Sequence, residues 1–258
     1  MTPAQRQAAR TIAVTGKGGV GKSTVAALMI RHLKAAGAGP VLALDADPDA
    51  NLASLLGLQV ESTIGELRED VLRRIHDLPA GMSKDAYMQA QLHEIVVESP
   101  QVDLVTMGRG EGPGCYCFVN HVLRKFAEEL TPSYRWVVMD NEAGMEHLSR
   151  RTAGRIDHLI VVVNASPLSI DSARRIDGLA DEIGRDVGRR WYLLNAVPPR
   201  RAAAVREKMA DLNLAELGEL PYDAAVEDAV VEGRSVYTLE DGPAIEIMTS
   251  IMDQLGAG

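Results

Sequence analysis

With 258 residues, 46% of them hydrophobic, the chain is long enough to bury a sizeable core, and one domain spanning residues 1–258 is the default expectation. A formal net charge of −9 argues against a main role on a nucleic-acid backbone, which needs a net basic face. Met1 to Arg10 is polar, and no later apolar run approaches the ~18–20 residues of a membrane span, so a cytoplasmic protein without a nucleic-acid or membrane partner is expected.

In chain order, Thr11 to Val14 reads as a short β-branched strand, and Val25 to Ala36 carries apolar residues at helical spacing. Between them Gly16-Lys17-Gly18-Gly19-Val20-Gly21-Lys22-Ser23-Thr24 fits G-x-x-x-x-G-K-[ST] on the strand-to-helix turn that this pattern requires. Glycines at 18, 19 and 21 let backbone N–H groups curl around a phosphate at the helix N-terminus, where unsatisfied donors and the dipole favour an anion. Lys22 is then placed for the β- and γ-phosphates, and the Ser23 hydroxyl for Mg²⁺. Lys17 occupies a position that the ordinary pattern leaves free, either as a solvated loop lysine or with a role away from its own phosphates.

Gly37 to Pro40 breaks the first helix, and Val41 to Leu44 reads as a buried strand ending at Asp45. Asp47, Asp49 and Asn51 follow, then a short helix Leu52 to Leu56 stopped by Gly57. Two helices are expected at Ile64 to Ile75 and Lys84 to Glu98, a strand at Val102 to Thr106, a glycine-rich loop from Gly108 to Gly114, and a helix at Phe118 to Leu130. Trp136 to Met139 reads as a strand ending at Asp140. His158 to Val163 and Trp191 to Leu194 are further strands, with a helix Ile170 to Ile183 between them. Amphipathic pieces at Ala202 to Leu212, Ala224 to Val231 and Ala244 to Leu255 close the chain. This alternation predicts an α/β fold, a mostly parallel sheet with helices on both faces and ligands beyond the carboxyl ends of its strands. Asp45 and Asp140 are carried to that edge, where carboxylate oxygens suit Mg²⁺ directly or through water; for Asp140 a helix cap or turn is the other reading.

The run Gly-Lys-Gly-Gly-Val-Gly-Lys-Ser-Thr resembles the deviant Walker A box of the MinD/ParA/nitrogenase-iron-protein class of P-loop ATPases. The resemblance implies that Lys17 crosses a nucleotide sandwich dimer to the partner's phosphates, in the manner of an arginine finger. It also makes Asp45-Ala46-Asp47-Pro48 switch I, with Asp47 positioning the attacking water and Asn51 nearby, and Asp140-Asn141-Glu142-Ala143-Gly144 the Walker B and switch II segment. In that class an Asn in the position of Asn195 and the segment Leu220-Pro221-Tyr222-Asp223 frame adenine. The guanine-specifying N/T-K-x-D run is absent, which favours ATP over GTP; without the resemblance both stretches read as turns.

The chain has two cysteines, Cys115 and Cys117, at the end of the glycine-rich loop. As buried small hydrophobes they would more often be scattered, and a disulfide across one residue is strained. Metal is the remaining reading. Two thiolates are too few for a closed tetrahedral site, whereas a twofold dimer brings together four. His121 is either an extra ligand or a helix-surface histidine. Gly-Cys-Tyr-Cys together with Asp140 to His147 resembles the CooC-type nickel-insertion ATPases. That resemblance implies an ATP- and Mg²⁺-dependent homodimer that binds Ni²⁺ or Zn²⁺ through Cys115 and Cys117 and serves an apo carbon monoxide dehydrogenase or a related nickel enzyme.

Three further readings stand beside it. A nitrogenase-type reductase would hold its cluster cysteines on separate loops, a ParA-like partition ATPase would bind DNA, and a MinD-like protein would bind membrane. For the last, no Lys or Arg follows Arg234 to meet anionic lipid.

Overall fold

The computed structural model describes residues 9–73, 87, 91, 93–109, 130–142 and 155–257. Seven strands form one sheet: β1 (Arg10–Gly16), β2 (Val41–Ala46), β3 (Val102–Thr106), β4 (Trp136–Asn141), β5 (Ile156–Val163), β6 (Val187–Asn195) and β7 (Ala215–Leu220). Their order is β3-β2-β4-β1-β5-β6-β7, and every pairing is parallel. The helices are α1 (Lys22–Ala35), α2 (Leu52–Leu56), α3 (Ile64–Arg73), α4 (Pro167–Ile183), α5 (Pro199–Met209), α6 (Ala224–Val231) and α7 (Pro243–Gln254).

The central strands are apolar without alternation because both faces are covered. Ile12, Val14, Ala43, Val138, Ile160 and Val162 join a core under α1, α2 and α7. Their neighbours Ala13, Leu44, Met139, Leu159 and Val161 point the other way, into a core shared with α3, α4 and α5. The alternation of Cβ directions along each strand thus feeds two cores from one uninterrupted run. The buried face of α7 (Ala244, Met248, Ile251, Met252) is part of the first core. Among the described residues no helix is long and apolar enough to cross a membrane.

Two readings needed correction. β7 is absent from the sequence reading, because Ala215, Glu216 and Glu219 face outward on an edge strand and only Leu217 and Leu220 are buried. Its pairing with β6 also shifts register between Tyr192 and Leu193. The helix expected from Lys84 to Glu98 ends sooner: residues 93–95 form a 3₁₀ turn, and Val97 exchanges two 2.9 Å hydrogen bonds with Leu104, covering the outer edge of β3. α3 is described from Ile64 to Arg73, and its expected continuation to Ile75 and the helix expected over 118–130, apart from Leu130, lie outside the described residues.

Candidate functional site: a phosphate loop facing two acidic strand ends

β1 delivers the loop 16–24 to the carboxyl edge of the sheet, and α1 begins at Lys22. Gly21 is the N-cap of α1 at φ 90°, a left-handed conformation in which a side chain would be strained. No side chain caps this helix and no acid lies in its first turn, so its N-terminal donors are left for an anion. A cavity of about 430 Å³ opens there, lined by Gly18, Gly19, Gly21, Lys22, Ser23, Thr24, Asp47, Asp49 and Asn51 among others. The loop residues Gly18 to Thr24 therefore stand where the sequence placed a triphosphate, Val20 excepted: its side chain is buried in the core.

Facing the loop is the segment after β2. Asp45 is fully buried, and its two oxygens accept backbone N–H groups from Asp47 (3.2 Å) and Leu52 (3.0 Å). Asp47 in turn accepts from the Asp49 N–H (3.0 Å), so two carboxylates shape this loop. Ala50 closes it at φ 52°, one of three non-glycine residues with left-handed backbone among those described. The other Asp47 oxygen lies 3.9 Å from the Lys22 ammonium, and both side chains are largely buried. Lys22 is thus held inside the cleft by the acid to which the family resemblance assigns water positioning.

Asp140 is also fully buried, and β2 and β4 bring it into register with Asp45. Burial pushes its carboxyl up to about 6; Ser23 and the Lys22 ammonium oppose the rise and Asp47 adds to it. Ser23 does not reach hydrogen-bonding geometry with either Asp140 oxygen, and both are without a partner. Asp45 is pushed to about 7, by burial first and the Asp140 charge second. Two buried acids side by side, one with both oxygens orphaned and a serine hydroxyl near it, form an environment that a hard dication would stabilise. Ser23 and Asp140 fit Mg²⁺, and Asp45 organises the loop through one N–H on each oxygen, which leaves each oxygen a lone pair for the ion or its water. Among the described residues no group of three or more His, Cys, Asp or Glu could hold a metal ion, so phosphate oxygens and water would complete the shell.

Asn141 is buried and donates to the Val14 carbonyl (3.0 Å), tying the end of β4 to β1. Residues 143–154 lie outside the described residues, as do Cys115, Cys117 and His121. What is described is the root of the cysteine loop. The Met107 N–H donates to the Asp45 carbonyl (2.8 Å), and the Arg109 guanidinium meets Asp49 at 2.5 Å. Both partners of that pair are mostly exposed, which makes it worth well under about 1 kcal/mol. A Cβ on Gly108, at φ 65°, would run into Thr63, which fixes the path of the chain at this point.

A second cavity of about 200 Å³ adjoins the first, sharing Thr24 and Val230 with it. Asn195, Leu220, Pro221, Tyr222 and Asp223, to which the family resemblance assigns the base, all line it. Its apolar floor was not foreseen: Leu28 from α1, and Val226 and Val230 four residues apart on α6. The signal was present, since α6 is apolar around most of its circumference while Ala229 is its only buried residue. Asp223 has structural work of its own, accepting from the N–H groups of Ala225 (2.9 Å) and Ala244 (3.2 Å), so it caps α6 and anchors the start of α7. A small, mostly apolar cavity beside a phosphate loop suits a nucleotide base.

The arrangement predicts the effect of Lys22→Ala. Losing a charge-assisted contact to phosphate, about 3 kcal/mol, should weaken Mg²⁺-ATP binding about 100-fold in calorimetry. Affinity within a factor of three of wild type would remove Lys22 from the phosphate site.

Comparison with known proteins agrees with this geometry. The family model described as the CobQ/CobB/MinD/ParA nucleotide binding domain matches residues 11–236. An uncharacterised ATP-binding protein of Methanocaldococcus jannaschii is 39% identical, over 89% of this chain and 91% of its own. The carbon monoxide dehydrogenase accessory protein CooC of Rhodospirillum rubrum is 31% identical, over 95% of this chain and 97% of its own. Among solved structures, a ParA family ATPase from Chlorobium tepidum superposes with a TM-score of 0.72 at 20% identity, covering 95% of this chain and 98% of that one. The chain belongs to the CobQ/CobB/MinD/ParA family of nucleotide-binding domains, and is an ATPase with the MinD/ParA P-loop fold.

Proposed function

We propose that this ATPase is a metallochaperone: a homodimer, closed by nucleotide and metal, that carries Ni²⁺ or Zn²⁺ on Cys115 and Cys117 to an apo carbon monoxide dehydrogenase or a related nickel enzyme. The observation that carries the reading is the attachment of the cysteine loop to the nucleotide site. Met107, just before that loop, donates to the Asp45 carbonyl, and Arg109, at its start, meets Asp49 at the surface. A rearrangement of Asp45 to Asp49 on ATP hydrolysis is thereby transmitted to the root of the loop that bears the thiolates. The 31% identity to an accessory protein of carbon monoxide dehydrogenase supports the same reading and supplies the client.

In this reading Gly18 to Thr24 hold the phosphates, Lys22 neutralises them, and Ser23 and Asp140 hold Mg²⁺, which when bound offsets charge on the β- and γ-oxygens. Asp47 orients the attacking water, and Lys17 acts across the dimer. Asn195 and the segment 220–223 border the base of ATP or ADP. The transported ion is cargo, bound by two thiolates from each chain.

The test is metal content and solution mass of the purified protein, with and without ATP. One Ni²⁺ or Zn²⁺ per two chains, with affinity falling as pH drops below the ordinary thiol value of ~8.5, is the expected result. Changing both cysteines to Ser should remove the metal and leave ATP binding intact. One tightly held ion per chain, or metal retained by the double Ser variant, would sink the shared site.

The fold of the sheet favours a second reading, a ParA- or MinD-like positioning ATPase. ATP-dependent, salt-sensitive DNA binding or vesicle binding would be its signature.

A further inference from the structure

Asn195 has a contact that framing a base does not require. It ends β6, two strands from β1, and reaches past the end of β5 to the phosphate loop. Its amide nitrogen donates to the carbonyl of Val20 at 2.8 Å. The same amide lies against the α-carbon of Gly21, where any Cβ would collide with it. Val20 and Gly21 are the two residues that set the turn into α1, Val20 being buried and Gly21 at φ 90°. Asn195 is itself held from the other side, because it pairs with Leu220 in the sheet and the next residue donates to the Leu220 carbonyl at 2.9 Å. Ala196 adopts φ 49° to make that bond, a conformation that persists only where the surroundings over-determine it.

From this geometry we infer that Asn195 is a positioning residue for the phosphate loop, holding the Val20-Gly21 turn in its phosphate-ready conformation whatever base is bound. A carbonyl can only accept, so the amide NH₂ must face Val20 and its donor is committed to the loop. Loss of that donor strips one partner from a buried carbonyl at the turn whose following N–H groups meet the phosphates. The loop then samples other conformations, and affinity falls by the fraction of time that the competent one is lost. A residue that only framed the base would instead affect ligands in proportion to their base contacts.

The inference rests on Gly16 to Thr24 being the phosphate site, and the experiment separates the two. A fluorescent ATP analogue is displaced from the full chain by ATP, by GTP and by inorganic tripolyphosphate, all with Mg²⁺. Asn195→Ala should weaken all three by a similar factor, about 5- to 30-fold, with a nucleotide-free protein that still unfolds cooperatively at a melting temperature only a few degrees lower. Asn195→Leu, of similar size but without a donor, should do the same if alanine leaves a destabilising cavity. Loss confined to ATP, no loss for any ligand, or tripolyphosphate unable to displace the analogue from the unmodified protein would each overturn the role. Lys22→Ala serves as the separate control. If it leaves tripolyphosphate binding unchanged, the phosphate-site reading itself fails, whatever Asn195 does.

Discussion

Lys17→Ala should leave nucleotide binding by the monomer within a factor of about three of wild type and lower ATP turnover about 10³-fold, the scale of losing a cationic finger. Lys17 is half-buried, and among the described residues no hydrogen bond or ion pair occupies its ammonium. Its side chain is absent from those lining the phosphate cleft, although its neighbours Gly18 and Gly19 are present. Lys22 already stands inside that cleft beside Asp47. A second lysine outside the lining of that cleft is available to phosphates brought by another chain, as in the dimer proposed above. Light scattering at fixed protein concentration, with and without ATP, reads the assembly, and phosphate release reads the turnover. The variant should stay monomeric with ATP. Unchanged assembly and turnover would return Lys17 to the solvated loop.

Asp47→Asn should retain Mg²⁺-ATP binding and lose turnover by about 10³-fold, within the range attributed to a positioned acid or base. Asparagine is the informative choice. Asp47 has two duties, accepting from the Asp49 N–H through one oxygen and standing 3.9 Å from Lys22 through the other. The amide can keep the first while giving up the charge that orients a water and holds Lys22. Alanine would remove both and confuse collapse of the loop with loss of chemistry. Single-turnover phosphate release beside calorimetric ATP affinity separates the two. An equal fall in binding and turnover would mean that Asp47 shapes the cleft, and wild-type turnover would move the water-positioning role elsewhere.

The phosphate loop was legible from the chain alone for a physical reason, whereas the roles expected of Lys17 and Asp47 came from the family resemblance. A β-branched run, glycines where a backbone must wrap an anion, and a lysine and hydroxyl at the first turn of a helix are contiguous, so local sterics and periodicity suffice to specify them. The acids at the ends of β2 and β4 were legible in the same way, since a buried parallel strand that stops at a carboxylate delivers it to the ligand edge. Only the tertiary structure decided which carboxylate is left without a partner. Register sets Asp140 against Asp45, and the fold engages both Asp45 oxygens with Asp47 and Leu52 while leaving those of Asp140 without partners. Tertiary structure likewise decided that Asn195 bonds a carbonyl 175 residues earlier in the chain. It also decided that Val226 and Val230 floor the second cavity, and that the outward glutamates of β7 belong to a strand. Each is a contact between segments distant in sequence, fixed by which strands pair and which helix faces find cover. No local pattern carries that information, because the same turn-forming Asn or half-exposed apolar stripe serves many environments.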